Sequence, residues 1–357
     1  MSYAQKTKEM PIDPNINRVM DWDIAQQQPV QASDTILRVN DLKMHFPVTK
    51  GLLKRQVAAV KAVDGVSFSI RKGETLGLVG ESGSGKSTVG NCVMRNYDVT
   101  GGEIWFNGQD ITHTSKHDLR KLRNTLQMIT QDPFASLDPR MTIRQSVLEG
   151  VRIQHTVGKG ERNDLVERML MLVGLNPKFA DRYPHEFSGG QRQRISIARA
   201  LALRLAFIVC DEIVSALDVS IQAQVVSLMM KIQSELNLTY IFIGHDLSVV
   251  RHISNHVAVL YLGKIMELTS SDELYDHPLH PYTQALISAA PIPDPVVDRT
   301  RERILLEGEI PSPIDPPKGC KFCTRCRYAD ERCRNEEPAF VDVGNHHFVA
   351  CHRGTGR

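Results

Sequence analysis

The sequence predicts an α/β protein built on a mostly parallel, doubly wound sheet. Two observations carry that prediction. Short apolar runs recur along the chain, at 75–79, 126–130, 205–209, 240–244 and 257–262. Segments with helical periodicity lie between them, and strands alternating with helices wind into parallel sheets. A third observation concerns where the runs stop. The first halts at Gly80, another ends in Asp211 and Glu212, and a third is closed by His245.

Taken in order, residues 1–34 are polar and Gln-rich and read as a flexible leader without the apolar core of a signal peptide. Strand-like runs follow at 36–39, 42–48 and 66–70, with a basic, loop-like insert at 51–56. The run Thr75-Leu-Gly-Leu-Val79 is short, largely apolar and stopped by Gly80, which suits a buried parallel strand, and 87–94 reads as a helix. A further strand is expected at 103–106. Residues 134–187 are mostly helical by pattern, notably 164–173, and interrupt the alternation as an inserted subdomain. The clearest helix is 220–236. There Ile221, Val225, Leu228, Met229, Ile232 and Leu236 form one stripe at spacings of three and four. Beyond 271, Pro278, Pro281, Pro291, Pro293, Pro295, Pro311, Pro313, Pro316 and Pro317 mark an irregular extension to 357.

Composition bounds the function. The chain has 357 residues, 41% hydrophobic and 24% charged, with a net charge of +2. That is a globular composition for one large domain or two, without the basic excess of a nucleic-acid binder. No run reaches the roughly eighteen apolar residues of a membrane helix, and the best, 201–210, is broken by Arg204. A cytoplasmic protein is expected, whose membrane role, if any, goes through a partner.

The segment Gly80-Glu81-Ser82-Gly83-Ser84-Gly85-Lys86-Ser87-Thr88 has the spacing of a phosphate-binding loop between a strand and a helix. Backbone N–H groups in a Gly-rich turn point inward and cradle an anion. Lys86 reaches the β- and γ-phosphates, the Ser87 hydroxyl ligates Mg²⁺, and the following helix aims its positive end at the phosphates. The strand ending in Asp211 and Glu212 suits a water-mediated Mg²⁺ ligand followed by a base that polarises the attacking water. His245 is placed to sense the γ-phosphate, although a His at a strand end is commonly structural. Gln131 fits a Mg²⁺ or water ligand at the hinge to the helical insert. Ser188-Gly189-Gly190-Gln191 opens a helix expected at 192–203 and has capping-box spacing. Two consecutive glycines are poor helix formers, and they suit an anion approaching the backbone, on this chain or another.

Together Gly80 to Ser87, Gln131, Phe187-Ser-Gly-Gly-Gln191, Cys210-Asp-Glu212, Ser215-Ala-Leu-Asp218 and Gly244-His245-Asp246 resemble an ATP-binding-cassette (ABC) ATPase, across about 35–351. The resemblance implies a mostly parallel sheet with an antiparallel β region and an inserted helical subdomain. It further implies a head-to-tail dimer with two ATPs between the phosphate loop of one subunit and residues 188–191 of the other, and Asp218 linking the sites. His280-Pro-Tyr-Thr283-Gln-Ala-Leu286, Gly308-Glu-Ile-Pro-Ser-Pro313 and Pro317-Lys-Gly-Cys320 resemble the C-terminal region of oligopeptide, dipeptide and nickel importer ATPases, most of all the second ATPase subunit of dipeptide importers. Ile213 stands where the family usually has Pro, and Phe187 where the signature often begins with Leu. Phe46 is the candidate for stacking on adenine. The domains implied are an ATPase domain at 35–270 and an importer-type extension at 271–357.

Five thiols, Cys320, Cys323, Cys326, Cys333 and Cys351, crowd that extension. Clustered Cys in a reducing compartment suit a metal or a cluster more than disulfides. Four thiolates could hold zinc or a [4Fe–4S] cluster. The resemblance favours the cluster on Cys320, Cys326, Cys333 and Cys351, with Cys323 spare or competing. Cys92 and Cys210 read as core. The function expected is ATP hydrolysis driving peptide uptake, from the cytoplasmic face of the inner membrane. The partners implied are a second ATPase subunit (paralogue or self), two transmembrane permease subunits and a substrate-binding protein, without nucleic acid. The alternatives are another solute, nickel or an opine, or a soluble ABC ATPase outside transport.

Overall fold

The structure, a computed structural model, describes residues 34–51, 55–132, 136–290 and 303–354. Residues 1–33 of the expected 1–34 leader, Pro291, Pro293 and Pro295, and the start of the expected helical insert at 134 lie outside the described residues.

The chain opens with a long hairpin, β1 (Thr35–Lys50) and β2 (Arg55–Arg71). Two strands expected at 36–39 and 42–48 are one, bent where the register shifts between Val39 and Leu42 and Asp41 takes φ 43°. Of the expected loop-like insert at 51–56, Arg55 and Gln56 belong to β2, paired with Lys50 and Thr49, and 52–54 lie outside the described residues. Strands β3 (Thr75–Val79), β4 (Gly101–Phe106), β5 (Gln109–Asp110), β6 (Leu126–Ile129), β7 (Phe207–Asp211), β8 (Thr239–Ile243), β9 (His256–Tyr261) and β10 (Lys264–Ser270) follow. The short β11 (Val341–Asp342) and β12 (Phe348–Val349) come last.

They form two sheets. One is antiparallel, in the order β2-β1-β4-β5; the other runs β11-β12-β10-β9-β3-β8-β7-β6. In the larger sheet β6, β7, β8, β3 and β9 are parallel. β3 and β8 are buried along their whole length, as the unbroken apolar runs require.

Ten helices are described: α1 (Lys86–Val93), α2 (Lys116–Leu122), α3 (Ile143–Gln154), α4 (Arg162–Leu172), α5 (Gly189–Leu201), α6 (Val219–Leu236), α7 (Leu247–Ile253), α8 (Ser271–Asp276), α9 (Pro281–Ala289) and α10 (Glu331–Asn335). A reciprocal capping box between Thr142 and Gln145 starts α3. Its Ile143, Val147 and Val151 share a core with Leu165, Val166 and Leu170 of α4 and Ile195 and Ala198 of α5. On α6 the stripe holds through Val225, Met229 and Ile232, but Leu236 is 47% exposed, in the last turn before Asn237 reverses the chain at φ 51°.

The region beyond 271 is less irregular than its prolines suggest. It carries α8, α9 and α10, and then returns to the main sheet, where β12 pairs with β10 through Leu268↔Phe348 and Glu267↔Val349. β10 was hidden from the sequence by its neighbour. Leu262 and Gly263, at φ 45° and 75°, make a two-residue turn that runs β9 straight into β10.

The core between the sheets gathers Leu37, Val39, Phe68, Val89, Ile104 and Ile243; Cys92 is buried in it. Cys210 is buried in the second core, on the helical face. Gly77 of β3 has no room for a side chain, because a Cβ there would stand 2.5 Å from Val250 Cγ1 and 2.7 Å from Ser254 Oγ. Gly77→Ala should therefore cost about 1–3 kcal/mol through overpacking, seen as a lower denaturant midpoint; an unchanged midpoint would mean that α7 moves aside freely.

Candidate nucleotide site

Because β6, β7, β8 and β3 run parallel, their carboxyl ends share one edge of the sheet. Ligands of such sheets bind outside that edge. Gln131, Asp211 with Glu212, His245 and the loop at 80–87 follow those four strands.

The loop is fitted to neighbouring backbone. A Cβ on Gly80 (φ 145°) would lie 2.2 Å from the Leu260 carbonyl oxygen, and one on Gly85 (φ 107°) would lie 2.3 Å from that of Ala62. Gly83 has open space around it, and its glycine answers to φ 79° alone. The Ser84 carbonyl accepts the Gly263 N–H at 2.9 Å. The buried Ser84 hydroxyl has no hydrogen-bond partner among the described residues. Ser82 is exposed and Thr88 half-buried in the first turn of α1.

Lys86 donates to the Gly80 carbonyl at 2.8 Å and the Glu81 carbonyl at 3.0 Å, so it arches back over its own loop. Burial lowers its pKa, against the opposing pull of Glu212, Asp211 and Glu81. The Ser87 hydroxyl donates to Asp211 Oδ1 at 2.9 Å, joining the loop to the end of β7. Burial, aided by the Glu212 charge, raises the Asp211 pKa, and the bonds from Ser87 and Lys86's charge work the other way. Ser87 and Asp211 thus present hard oxygen donors side by side, the set that suits Mg²⁺.

Glu212 takes φ 50°, a conformation rare for a side chain of its size. Its N–H donates to the Ile243 carbonyl at 3.0 Å, which ties it to β8. His245 Nδ1 stands 3.9 Å from Glu212 Oε2, on a largely exposed side chain. The Gln131 amide donates to Ser215 Oγ at 3.2 Å, and Ser215 Oγ donates to the Glu212 carbonyl at 2.9 Å. Ser215 was quoted in the sequence only as part of a motif; here it connects the ends of β6 and β7.

Ser188 and Gln191 form the reciprocal capping box, with Gln191 Oε1 accepting the Ser188 N–H at 3.0 Å. The helix they start is α5, which begins at Gly189 and ends at Leu201, earlier at both ends than the expected 192–203. Gly190 also has a packing reason to be glycine, since a Cβ would fall 2.6 Å from Ile221 Cγ2. Gly189 meets only Leu217 at 3.7 Å. Asp218, exposed, precedes α6 without a side-chain capping bond. Phe46 is half-buried, with its ring edge-on to Tyr97 at 5.4 Å.

The thiols of the extension gather. Burial pushes Cys320 up to about 12, with Cys351, Cys323 and Cys333 adding to the effect. Cys326 is raised by burial first, with Cys351 and Cys323 among its neighbours, and Cys333 is raised by burial with Cys326 nearby. Yet among the described residues no three His, Cys, Asp or Glu side chains stand so as to hold a metal ion. The expected set of Cys320, Cys326, Cys333 and Cys351 is close together but not converged on one point.

Two residues of this region reach the phosphate loop, and sequence reasoning missed both contacts. The Glu81 N–H donates to the Tyr282 hydroxyl at 2.8 Å, and Arg325 donates to the Glu81 carboxylate at 2.6 and 3.2 Å. No local pattern could have announced a contact spanning that much sequence.

Comparison with known proteins places this geometry. The family description "ABC transporter" matches residues 63–215, and "Oligopeptide/dipeptide transporter, C-terminal region" matches residues 266–333. The oligopeptide transport ATP-binding protein AppF of Bacillus subtilis (strain 168) is 58% identical over 320 residues, covering 89% of this chain and 97% of its own. The oligopeptide transport ATP-binding protein OppF of Haemophilus influenzae is 50% identical over 321 residues, covering 89% and 97%. Among solved structures, cbiO1 of Clostridium perfringens, part of the ABC transporter complex cbiONQ, superposes with a TM-score of 0.60 at 25% identity, over 68% of this chain and 92% of its own. The ATP-binding cassette MJ0796, a dimer in a post-hydrolysis state with ADP and Pi, has the same fold at a TM-score of 0.59 and 24% identity, over 66% and 99%.

The seating of the extension on the core gives a pH dependence. Fully buried His280 accepts the Tyr282 N–H on Nδ1 at 3.0 Å, and burial holds its pKa at about 4. A histidine with a lowered folded pKa stabilises the fold above its unfolded value near 6.5 and loses that contribution as pH falls towards 4. Between pH 7 and 5 the loss should be about 2 kcal/mol. His280→Asn, which accepts the same bond without titrating, should flatten the fall in denaturant midpoint over that range. An identical slope in both proteins would refute it.

Proposed function

The chain belongs to the ABC transporter ATPase family, and from that premise we propose that it is the ATP-hydrolysing subunit of an importer that takes up di- and oligopeptides. The observation that carries the reading is the junction of the phosphate loop with the end of β7, where Ser87 bonds Asp211 at 2.9 Å beside the strained Glu212. Near-full-length similarity to oligopeptide transport ATP-binding proteins supports the solute class.

On this reading, ATP lies along residues 80–88. The backbone N–H groups of the loop and the head of α1 take the phosphates, and Lys86 leaves the carbonyls of Gly80 and Glu81 for them. Ser87, Asp211 and Gln131 would hold Mg²⁺, which would supply positive charge to neutralise the phosphates. Glu212 polarises the attacking water, and His245, 3.9 Å from it, orients that water against the γ-phosphate. Phe46 offers its ring to adenine. Ser188 to Gln191 and Asp218 complete the nucleotide site of a second ATPase subunit, paralogous or identical. Ser188 presents its hydroxyl at the open start of α5, where Gly189 leaves the backbone bare.

Among the described residues no helix is long and apolar enough to cross a membrane. On this reading transport runs through two permease subunits, fed by a substrate-binding protein, with this chain peripheral on the inner side of the membrane. A cleft of about 560 Å³ lies between α2 and β6 on one side and α3 and α5 on the other, lined by Arg123, Gln127, Met128, Glu149, Ile153 and Arg199. It adjoins Gln131 through Thr130, so a permease element seated there would move with the residue that touches Ser215. Nothing in this site calls for nucleic acid.

Cys320, Cys326, Cys333 and Cys351, with Cys323 spare or competing, are proposed to take a [4Fe–4S] cluster, with zinc as the competing occupant. Their nearness and soft sulfur donors support this.

Replacing Glu212 by Gln keeps the binding groups and removes the base. It should cut hydrolysis by about 10²–10⁴ and leave a stable ATP-bound dimer on size exclusion; full turnover would sink the assigned role. Purified without oxygen, the chain should be brown and carry about four iron atoms. A colourless protein with stoichiometric zinc would overturn the cluster.

A further inference from the structure

We infer that Arg325 and Tyr282 are positioning residues for the phosphate loop, which makes the C-terminal extension part of the apparatus that sets ATP affinity. The inference rests on the ATPase reading and adds to it two residues outside the nucleotide motifs.

The loop is held unevenly. Its later part is fixed by the core, at Gly85 against Ala62 and at Ser84 by the Gly263 N–H. Its start is fixed at Gly80 against Leu260. Between them Ser82 and Gly83 are exposed. Glu81 is thus the one residue of that span with firm holds: besides the Ser84 N–H on its carbonyl at 3.2 Å, it has three. Its N–H goes to the Tyr282 hydroxyl, its carboxylate to both terminal nitrogens of Arg325, and its carbonyl to Lys86 Nζ. The first two come from beyond residue 280. The third is the lysine expected to meet the phosphates, so a shift of Glu81 is a shift of that lysine's resting place.

The two outside holds are themselves rigid. Tyr282 is fully buried at the start of α9. Buried Glu267 accepts the N–H groups of Leu279 and His280 at 2.8 and 2.9 Å and meets His347 Nε2 at 2.6 Å, and His280 caps Tyr282. Arg325 has a side chain only 8% exposed and binds through both nitrogens of its fork, a geometry that fixes direction as well as distance. Phe322 precedes it by three residues, its carbonyl accepting the Arg325 N–H at 3.0 Å. The Phe322 ring lies 5.3 Å from both Tyr282 and Tyr261 and 5.7 Å from His280. Phe322 and Arg325 are interleaved with Cys320, Cys323 and Cys326. The run that carries the thiols therefore also carries the ring that backs Tyr282 and the guanidinium that grips Glu81.

The test is binding of a fluorescent ATP analogue with Mg²⁺ to the full chain, alongside steady-state hydrolysis. Arg325→Gln and Tyr282→Phe should each weaken binding by about three- to tenfold and raise KM for ATP by a similar factor, with kcat within about twofold. Arg325→Lys, which keeps the charge but not the fork, should recover only part of the loss. Glu81→Gln should weaken binding as Arg325→Gln does, and the double variant should be no worse than either single one, because one interaction is lost in each. A purely structural tail would lower the melting midpoint and leave KM alone, and that outcome overturns the inference. So does unchanged affinity in Arg325→Gln and Glu81→Gln. If Arg325→Gln fails to fold, Glu81→Gln breaks the same pair from the loop side and decides. Wild-type chain that takes up no nucleotide would defeat the ATPase reading itself, a different result from wild-type binding that the variants match.

Discussion

The site depends on backbone meeting backbone at the end of β3. Gly80 and Gly85 lie so close to the carbonyls of Leu260 and Ala62 that no side chain fits at either position. This closeness puts the loop against two different sheets at once, because Leu260 belongs to the larger, mixed sheet and Ala62 to the antiparallel one. The turn at Gly263 then binds both, giving its N–H to Ser84 and its carbonyl to the Asp64 N–H. A nest of N–H groups holds an anion well only if it is already shaped. Here the shape is set by three neighbours rather than by the loop's own sequence.

That explains which features the sequence revealed. The buried strands β3 and β8 were legible because each is an uninterrupted apolar run ended by a turn, and burial on both faces leaves no other pattern. The loop was legible because its chemistry fixes its spacing. Asp211 and Glu212 were legible by their place at a strand end. What could not be read was pairing at a distance. β10 has no signature apart from the turn that feeds it, and β12, two residues long, exists only because β10 offers an edge. The same limit hid Ile221 as the reason for Gly190 and Tyr282 as the partner of Glu81. The opposite error occurred at Arg55 and Gln56, where a basic composition suggested a loop and cross-strand pairing with Lys50 and Thr49 made strand.

The polar contacts around Glu212 form a continuous path. Gln131 bonds Ser215, Ser215 bonds the Glu212 carbonyl, and the Glu212 N–H bonds Ile243 at the end of β8, two residues before His245. Three strand ends are joined through one residue in a strained conformation. Strain of this kind costs on the order of 1–3 kcal/mol and lasts only where surrounding bonds over-determine it. The bond from Gln131 is the one of these that leads out of the sheet, towards the segment that precedes α3. A motion of the α3 and α4 helices that pulled on Gln131 would loosen Ser215 and so release Glu212 from part of what holds it.

The extension acts on the other end of the same site. Glu212 and Asp211 are steadied from β6 and β8, whereas Glu81 is steadied from Tyr282 and Arg325, and Lys86 lies between the two groups, drawn by the charges of all three carboxylates. At rest it donates to the carbonyls of Gly80 and Glu81 at 2.8 and 3.0 Å. A rigid Glu81 keeps it folded over the loop until phosphate competes for it. Affinity for ATP is then a balance between the lysine's resting bonds and its bonds to phosphate. A segment far away in sequence can tune that balance without touching the nucleotide, because it fixes the carbonyl from which the lysine must depart.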